Sequence, residues 1–462
     1  MTAQPMDVSA IQSRARMDLP RLVIFALPWL PMAFIQVPLG MFIPAFYATN
    51  TTTTLAAVGA ATGMARIFDA IIDPLIGHLS DRTRTVIGPR KPWVLFGTVL
   101  IVICTLQLFS PPATAGIAYY VVWSGGLFFA FGCVEIPMRA WASELSSDKI
   151  ERARIFTAIG LVMALGSLVF WVAPFLAKLA GGTTALNDPR AMSLVASIFA
   201  FALPLTVLGA VAFVPHARSR TADFPSTREL LGSVRGNRPF WVYVSGLSVW
   251  SIGNAAAVSL VFIFLADYLQ LGARVTPLMI TYFVVQMIAM PAWVRLLPYI
   301  DKHRLIAICW LLDAALKPAL LWLEPGAVNL VFAYAVLVSS AVLNSISYTF
   351  PQAILADVVD FDTLRTRKER AASYFALNTL LYKVMMGVGA GIALPLLGAF
   401  GYTVGQAHDG LARTGMMVGI VVFPAMCLAT AALIMWRFPI GSRRQQVIAA
   451  RLAARERRAA AS

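Results

Sequence analysis

The sequence predicts an all-α integral membrane protein of twelve transmembrane helices, arranged as two halves of six. Three observations support this fold class. The 462 residues are 59% hydrophobic and only 13% charged, and the mean hydropathy is +0.75. Twelve apolar segments reach the length of about 20 residues that a helix needs to cross a bilayer. A polar, basic stretch separates the sixth segment from the seventh.

The predicted helices follow one another with short connections. They cover residues 21–47, 55–79, 92–110, 116–143, 155–179, 191–214, 240–270, 276–300, 305–323, 328–350, 372–400 and 411–437. The chain is thereby divided into a cytoplasmic amino-terminal tail (1–20), a first six-helix half (21–214), a central cytoplasmic loop (215–239), a second half (240–437) and a basic cytoplasmic tail (438–462).

Lysine and arginine are concentrated in alternate loops, whereas intervening loops such as 51–54 and 111–115 are nearly uncharged. This positive-inside pattern predicts that both termini are cytoplasmic. It also explains the net charge of +15 without nucleic acid as a partner. The basic tail either anchors the topology or contacts acidic membrane lipid.

The sequence does not support an enzyme. It contains no nucleophile–base constellation, metal-ligand set or phosphate-binding loop. The four cysteines lie in apolar segments and have neither disulfide nor metal-site spacing. No cofactor is expected, and no metal beyond a possible sodium ion at the acidic pair described next.

Asp69 and Asp73 lie in the middle of the second apolar segment. Residues four apart project from the same helix face, so the two carboxyl groups are neighbours. A charged group at bilayer depth costs at least ~2.5–3.5 kcal/mol, and intramembrane carboxylates mark ion or proton pathways. The pair therefore predicts a site for a cation, which is a metal ion, a proton or a basic side chain.

Further charged residues lie at the predicted cytoplasmic ends of the helices. Asp81 and Arg82 begin a basic loop that follows the second segment, and 301–304 is a weaker echo in the second half. Asp357 and Asp360 close the tenth segment, where Arg154 is a predicted partner. We interpret these five residues as ion pairs of a cytoplasmic gate.

Three motifs resemble the glycoside–pentoside–hexuronide:cation symporter (melibiose-carrier-like) family of the major facilitator superfamily. The first is Asp69-Ala-Ile-Ile-Asp-Pro74, which continues to Lys91-Pro-Trp93. The second is Glu135-Ile-Pro137, and the third is Ala356-Asp-Val-Val-Asp-Phe361, followed by Lys383 in a glycine-rich helix. They occur in order and at the family spacing, over most of the chain.

The resemblance implies a major facilitator fold with a solute site between the halves and alternating access. It implies that Asp69, Asp73 and Glu135 bind the coupling cation. It implies that Lys383 lies near both the cation and the solute. The aromatic and polar residues that it assigns to the solute cavity are Tyr348, Asn378 and Thr379. A monomer is expected by the same analogy.

Departures from the family pattern bear on the cation and the solute. Where the family has an asparagine and a threonine that supply neutral oxygens to sodium, this chain has Ile72 and Gly132. Hard cations prefer oxygen ligands, so the sequence favours protons over sodium. The first segment lacks the family's sugar-binding acid, and Gly160 replaces an arginine, so galactosides are not expected.

Arg139 occupies the position of an aromatic platform in the family, one helical turn after Glu135. Two interpretations remain open: a structural ion pair, or a contact with an anionic solute. A separate hypothesis is that Lys383 neutralises Asp69 and Asp73 when no cation is bound. A proton on the pair would then release the lysine to the solute.

These observations predict a cation-coupled symporter of a small organic solute in a bacterial inner membrane. By resemblance, the solute is a sugar, glycoside or hexuronide. The alternative is an amphipathic or anionic solute such as a lysophospholipid, because relatives in the wider family carry such cargo and lack the sugar residues. The expected partners are the solute, the coupling cation and membrane lipid.

Overall fold

The computed structural model describes residues 17–145, 149–179, 189–215, 234–325, 328–367, 371–405 and 410–461. Within these ranges the regular structure is helical and contains no strand. Twelve helical segments in them are long and apolar enough to cross a membrane, which confirms the predicted fold class. Most of the predicted amino-terminal tail and central loop, 1–16 and 216–233, lies outside the described residues.

The helices of the predicted first half begin with three short pieces in the place of one span. Pro28 separates the first two pieces, because proline cannot donate to the helical ladder. These helices are α1 Leu19–Ala26, α2 Trp29–Met41, α3 Ile43–Asn50, α4 Leu55–Arg82, α5 Lys91–Phe109, α6 Ile117–Glu144, α7 Lys149–Leu179 and α8 Pro189–Phe213.

Two helices of the second half begin with an asparagine cap. The side chain of Asn237 accepts a hydrogen bond from the Phe240 N–H, and Asn329 accepts one from Phe332, each at 3.1 Å. The helices are α9 Arg238–Ile263, α10 Val275–Val294, α11 Lys302–Leu316, α12 Leu330–Thr349, α13 Pro351–Thr366, α14 Ala371–Ala399, α15 Gly410–Met417, α16 Phe423–Trp436 and α17 Ser442–Ala461.

By packing, the chain divides into two compact units. The first unit comprises Met1–Phe46, Asn50–Thr52 and Phe68–Ala222, and the second comprises Tyr47–Thr49, Thr53–Ile67 and Asp223–Ser462. The first part of α4 thus belongs to the second unit, which the predicted halves did not anticipate.

Glycines explain why the first part of α4 packs with α14. A Cβ on Gly63 would lie 2.6 Å from the Cα of Gly391 and 2.9 Å from the carbonyl oxygen of Gly387. Real Cβ atoms do not approach backbone this closely, so the two helix backbones meet only because these residues have no side chain.

The basic tail of the sequence forms α17, which packs on the second unit. Ile448 is buried in the core of that unit. The Arg455 guanidinium donates to the Leu364 carbonyl oxygen at 2.9 Å, and the Arg444 guanidinium lies over the Phe361 ring. An Asp301 oxygen accepts a 2.7 Å hydrogen bond from the Ser442 N–H, at the start of the helix. This end of a helix dipole favours a negative charge.

Candidate functional site

The carboxyl pair lies in the interior of α4, on the part that belongs to the first unit. Asp69 is buried and Asp73 is half-buried. Pro74 follows directly and has no N–H, so the Ala70 carbonyl loses its usual helical donor. Two carboxyl groups and a carbonyl without that donor are therefore neighbours along one stretch of helix.

Gly132 of α6 lies against both carboxyl groups. A Cβ at this position would be 3.1 Å from Asp73 Oδ1, 3.7 Å from Asp69 Oδ1 and 2.9 Å from the end of Ile76. The α6 backbone therefore comes close to the acidic pair without bringing a side chain to it. Where the family resemblance expects a hydroxyl, this chain has no side-chain oxygen.

Glu135 lies one turn further along α6 and is paired with Arg139, as the i,i+4 spacing predicted. Arg139 Nε and Nη2 both donate to Glu135 Oε1, at 3.0 and 2.8 Å. The guanidinium also lies 4.9 Å from the ring centroid of Trp29, which is almost fully buried on α2. A cation over an indole ring is stabilised by the ring's electron density. No pattern in the sequence indicated this contact between distant segments.

Aromatic rings form a cluster in the second unit. Trp250 stacks with Trp310 and Tyr382, at centroid distances of 6.0 and 6.4 Å. Tyr348, the aromatic residue that the resemblance assigns to the solute, meets Trp250 edge-on at 5.9 Å. Half of Tyr348 is exposed, whereas Trp250 is buried. The cluster therefore leaves half of Tyr348 accessible, and an accessible aromatic residue suits contact with a sugar ring.

Amide groups adjoin this cluster. Asn344 Nδ2 donates to the Tyr282 hydroxyl at 3.1 Å and lies 3.5 Å from Asn254 Oδ1. The Asn254 side chain is also a hydrogen-bonding neighbour of the Tyr348 hydroxyl. The sequence analysis missed Tyr282 and Asn344. Their only sequence signal is a polar side chain inside an apolar segment, and the contact joins three helices.

The other predicted solute residues lie on α14. Asn378 is buried, and its Oδ1 has no hydrogen-bond partner among the residues that the structure describes. Thr379 is exposed, and its hydroxyl donates to the Phe375 carbonyl of the same helix at 2.9 Å. Lys383 is half-buried one turn further along. The three residues thus share a helix with Tyr382, in the same unit as the aromatic cluster.

The predicted gate residues have local partners. Lys302 Nζ lies 2.5 Å from Asp357 Oδ2, while Asp360 lies one turn away and is half-buried. In the first unit, Arg154 pairs with Glu151 at 3.1 Å and donates to the Met17 carbonyl at 3.0 Å. The gate role of these residues stays a prediction.

The loop after α4 is held by Arg90, which was not predicted to have a role, and by Lys91 of the first motif. Arg90 pairs with Glu144 at 2.6 Å and donates to the Ser80 hydroxyl, which joins this loop to the end of α6. Lys91 donates to two carbonyl oxygens near the end of α8. Arg82 is exposed, and the Asp81 side chain lies outside the described part of the structure.

The chemistry of the acidic pair suits a small cation. The described residues contain no group of three or more His, Cys, Asp or Glu that could hold a metal ion. A sodium ion would need several neutral oxygens beside the two carboxyl groups, whereas a proton needs only one carboxylate. The sequence prediction of proton carriage by Asp69, Asp73 and Glu135 is therefore compatible with the site.

Comparison with known proteins gives a consistent result. A family profile described as MFS/sugar transport protein matches residues 24–442. A glucuronide carrier protein homolog from Escherichia coli (strain K12) is 22% identical, over 87% of this chain and 88% of that protein. The human sodium-dependent lysophosphatidylcholine symporter 1 is also 22% identical, over 82% of this chain and 76% of that protein.

Among solved structures, a D-xylose-proton symporter aligns with a TM-score of 0.67. The alignment covers 91% of this chain and 97% of that protein, at 14% identity. At this identity the likeness concerns the fold alone.

Proposed function

Because the chain belongs to the MFS/sugar transport protein family, we propose that it couples the uptake of a small organic solute to a cation gradient by alternating access. The protein is a multi-pass membrane transporter with the major facilitator fold. Relatives with the names of symporters match most of the chain. We propose in addition the direction of coupling, the identity of the cation and the class of the solute.

The coupling cation is a proton, carried by the carboxyl groups of Asp69, Asp73 and Glu135. The contact of Gly132 with the acidic pair carries this part of the proposal, because α6 has no side-chain oxygen at position 132. Ile72 likewise offers no ligand. Sodium bound by Asp69 and Asp73 is the competing possibility, and it would need oxygens from elsewhere.

The solute is a sugar, glycoside or hexuronide. The half-exposed Tyr348 ring supports this class, because an aromatic face packs against the C–H face of a sugar. The Asn254, Asn344 and Tyr282 side chains supply both donors and acceptors for hydroxyl groups beside that ring. Asn378, Thr379 and Lys383 are further solute contacts that we infer from the family resemblance.

A lysophospholipid is the second candidate solute. The Arg139 guanidinium favours it, because a phosphate group is a good partner for arginine. The human relative named for lysophosphatidylcholine matches 82% of this chain, at the same 22% identity as the glucuronide carrier homolog.

The membrane topology completes the proposal. Both termini lie in the cytoplasm of a bacterial cell and the protein acts as a monomer in the inner membrane. The distribution of arginine and lysine over alternate loops supports this orientation.

The proposal is tested by uptake into proteoliposomes with imposed ion gradients. A panel of radiolabelled uronides, pentosides, β-glycosides and lysophosphatidylcholine is added under an inward proton gradient, an inward sodium gradient, or neither. Accumulation above equilibrium under the proton gradient alone supports proton symport. Accumulation under the sodium gradient alone contradicts the proton assignment, and equilibration without accumulation under every gradient contradicts symport itself.

Binding on the detergent-purified protein provides a parallel measurement. A solute that binds the folded state raises its apparent stability by mass action, about 2.7 kcal/mol at a hundredfold excess over its dissociation constant. Stabilisation by a sugar but not by lysophosphatidylcholine selects the first solute class, and the reverse result selects the second.

A further inference from the structure

Arg139 lies in a membrane-spanning helix, yet 47% of its side chain is exposed. It lies five residues before the end of α6 at Glu144, which is about 7–8 Å along the helix. An arginine that snorkels would extend towards that end. The guanidinium turns back to Glu135 and onto Trp29 instead. The charge is therefore held against two other groups of the protein, while nearly half of the side chain stays accessible.

The hydrogen bonds of Arg139 use one side of the guanidinium. Nε and Nη2 both donate to a single oxygen, Glu135 Oε1. Nη1 makes no hydrogen bond to any residue that the structure describes, so the outer edge formed by Nη1 and Nη2 remains open. That edge is the geometry that binds carboxylate, sulfonate or phosphate through two parallel hydrogen bonds.

Trp29 adds a second feature of a binding site. Its ring centroid lies 4.9 Å from the guanidinium carbon, and the residue is 1% exposed. Its Nε1–H is buried and has no acceptor in the described part of the chain. A buried donor without an acceptor is costly. The residue that contacts the guanidinium thus carries a second donor whose hydrogen bond is not made within the described part of the chain.

We propose that the outer edge of Arg139 binds an oxyanion of the transported solute, and that Glu135 takes up a proton when this anion arrives. The inference rests on the proposed proton-coupled transport and deepens it by assigning the solute class. The solute carries a carboxylate, sulfonate or phosphate group, and Arg139 is the residue that selects it.

The charge balance explains why the two events are linked. Taken by itself, the Glu135–Arg139 pair contains one guanidinium and one carboxylate, so the net charge of the pair is zero. An anion alone would bring it to −1, with two carboxylate-like groups on one guanidinium, and like charges this close favour protonation of one of them. A proton taken from the aqueous side onto Glu135 restores a net charge of zero. The two neutral states are the ion pair alone and the ion pair with both the anion and the proton. Only these states avoid a buried unpaired charge, which the membrane interior disfavours roughly 100-fold or more.

The first test compares anions with their neutral twins on the purified protein. D-Glucuronate is paired with D-glucose, D-galacturonate with D-galactose, and 6-deoxy-6-sulfoglucose with D-glucose, while the anionic lysolipid lysophosphatidate is paired with monoacylglycerol to test a phosphate source in a lipid. Wild-type protein is expected to bind at least one anion tenfold more tightly than its twin. Arg139→Gln should weaken that binding about 10- to 100-fold, whereas Arg295→Gln, a change at an exposed arginine, should not.

The second test measures protons directly. In weak buffer with a pH indicator, anion binding to wild-type protein should draw about one proton more than anion binding to Glu135→Gln. By reciprocity, the anion should bind wild-type protein more tightly as pH falls, and the variant should bind it with little dependence on pH. Glu135→Gln keeps the size of the side chain and an oxygen for Arg139, so the folded state is retained, and thermal melting checks this.

The outcomes distinguish a failure of this inference from a failure of the proposed transport function. If no anion is preferred tenfold over its twin, or if Glu135→Gln draws as many protons as wild type, the inference is wrong. Proton-driven accumulation of a neutral sugar would overturn it while leaving the proposed function intact. Absence of proton-driven accumulation of every solute would overturn the proposed function instead.

Discussion

Two ion pairs within spanning helices have the same spacing and different surroundings. Glu135 and Arg139 lie in the first unit, where their side chains are 20% and 47% exposed. Asp313 and Lys317 lie in the second unit, at 5% and 15%. The Ser340 hydroxyl donates to Asp313 Oδ1 at 2.7 Å and lies 3.1 Å from Lys317 Nζ, so a third side chain closes that pair.

The difference separates a pair that stabilises the helices from a pair that remains open to a ligand. Both pairs reduce the cost of charge in the membrane. The Asp313–Lys317 pair is almost fully buried, and both of its members hydrogen-bond to Ser340 of α12. Its charges are therefore satisfied within the protein. The Arg139 guanidinium is satisfied on one edge only. Spacing in the sequence therefore predicts that two charges pair, and burial decides what the pair can do.

The largest expected effect comes from one chemical change made in both units. Asp73→Asn removes a carboxyl group from the proposed cation site, and proton-driven accumulation should fall to the level of liposomes without protein. Asp313→Asn makes the same change in the buried Asp313–Lys317 pair. The fraction of this variant that remains folded should retain coupled uptake. Uptake in proteoliposomes with an imposed pH gradient measures both. Full accumulation by Asp73→Asn would remove the distinction between the two regions.

The next effect concerns stability. Asp313→Asn leaves the Lys317 charge buried without its carboxylate, which should lower the free energy of unfolding by about 3–5 kcal/mol. The double variant Asp313→Asn with Lys317→Met removes both charges and should recover most of the loss. Unfolding of the detergent-solubilised protein measures this.

A matched double variant exists in the first unit. The double variant Glu135→Gln with Arg139→Met should have a free energy of unfolding close to that of wild type but should lose coupled uptake. If this variant is the destabilised one, while the Asp313 double variant loses uptake at full stability, the assignment of the two pairs is reversed.

The sequence predicted what depends on local spacing and on the thickness of the membrane. The twelve spans follow from apolar length, and the Glu135–Arg139 pair follows from i,i+4 geometry. The ring of Trp29 under Arg139 and the Asn344–Tyr282 contact were not predicted, because each depends on how separate helices are rotated against each other. Hydropathy ended the tenth segment at 350, whereas α13 continues the helical structure to Thr366. The aspartates of α13 lower the hydropathy of this stretch, so apolar length alone does not reveal the helix.

A smaller effect is expected at the cation site. The double variant Ile72→Asn with Gly132→Thr adds two neutral oxygens beside Asp69 and Asp73, and should give sodium-stimulated uptake where wild type has none. The new Cβ would lie 3.1 Å from Asp73 Oδ1, so the carboxyl group must shift by a few tenths of an ångström.

Gly125 on the same helix has open space around its Cβ position, so Gly125→Thr is the matched control. Uptake is measured under an inward sodium gradient at constant pH. Sodium stimulation that is already complete in the wild-type protein would contradict the proton assignment.

The smallest effect concerns the start of α17. The Asp301 carboxylate accepts a hydrogen bond from Ser442, the first residue of that helix. Hydrogen bonds from the Ser442 hydroxyl and N–H hold the pKa of the Asp301 carboxyl below its usual range. A lowered pKa means that the charged form stabilises the folded state, so the stabilisation is present at neutral pH, above the unfolded value of about 3.9. It is lost as pH falls through the lowered pKa. Asp301→Asn should cost about 0.3–1 kcal/mol, as expected for a charge at a helix start.

Hydrogen exchange at the first turn of α17 measures this contribution. Asp301→Asn should exchange faster than wild type at neutral pH, and the difference should shrink below about pH 4 as the wild-type carboxyl is protonated. Asp18→Asn is the control, since Asp18 precedes α1 and makes no side-chain cap hydrogen bond there. Because Arg455 and Ile448 hold the helix independently, only the first turn should loosen. Release of the whole helix would mean that Asp301, rather than the apolar face, secures α17 to the second unit.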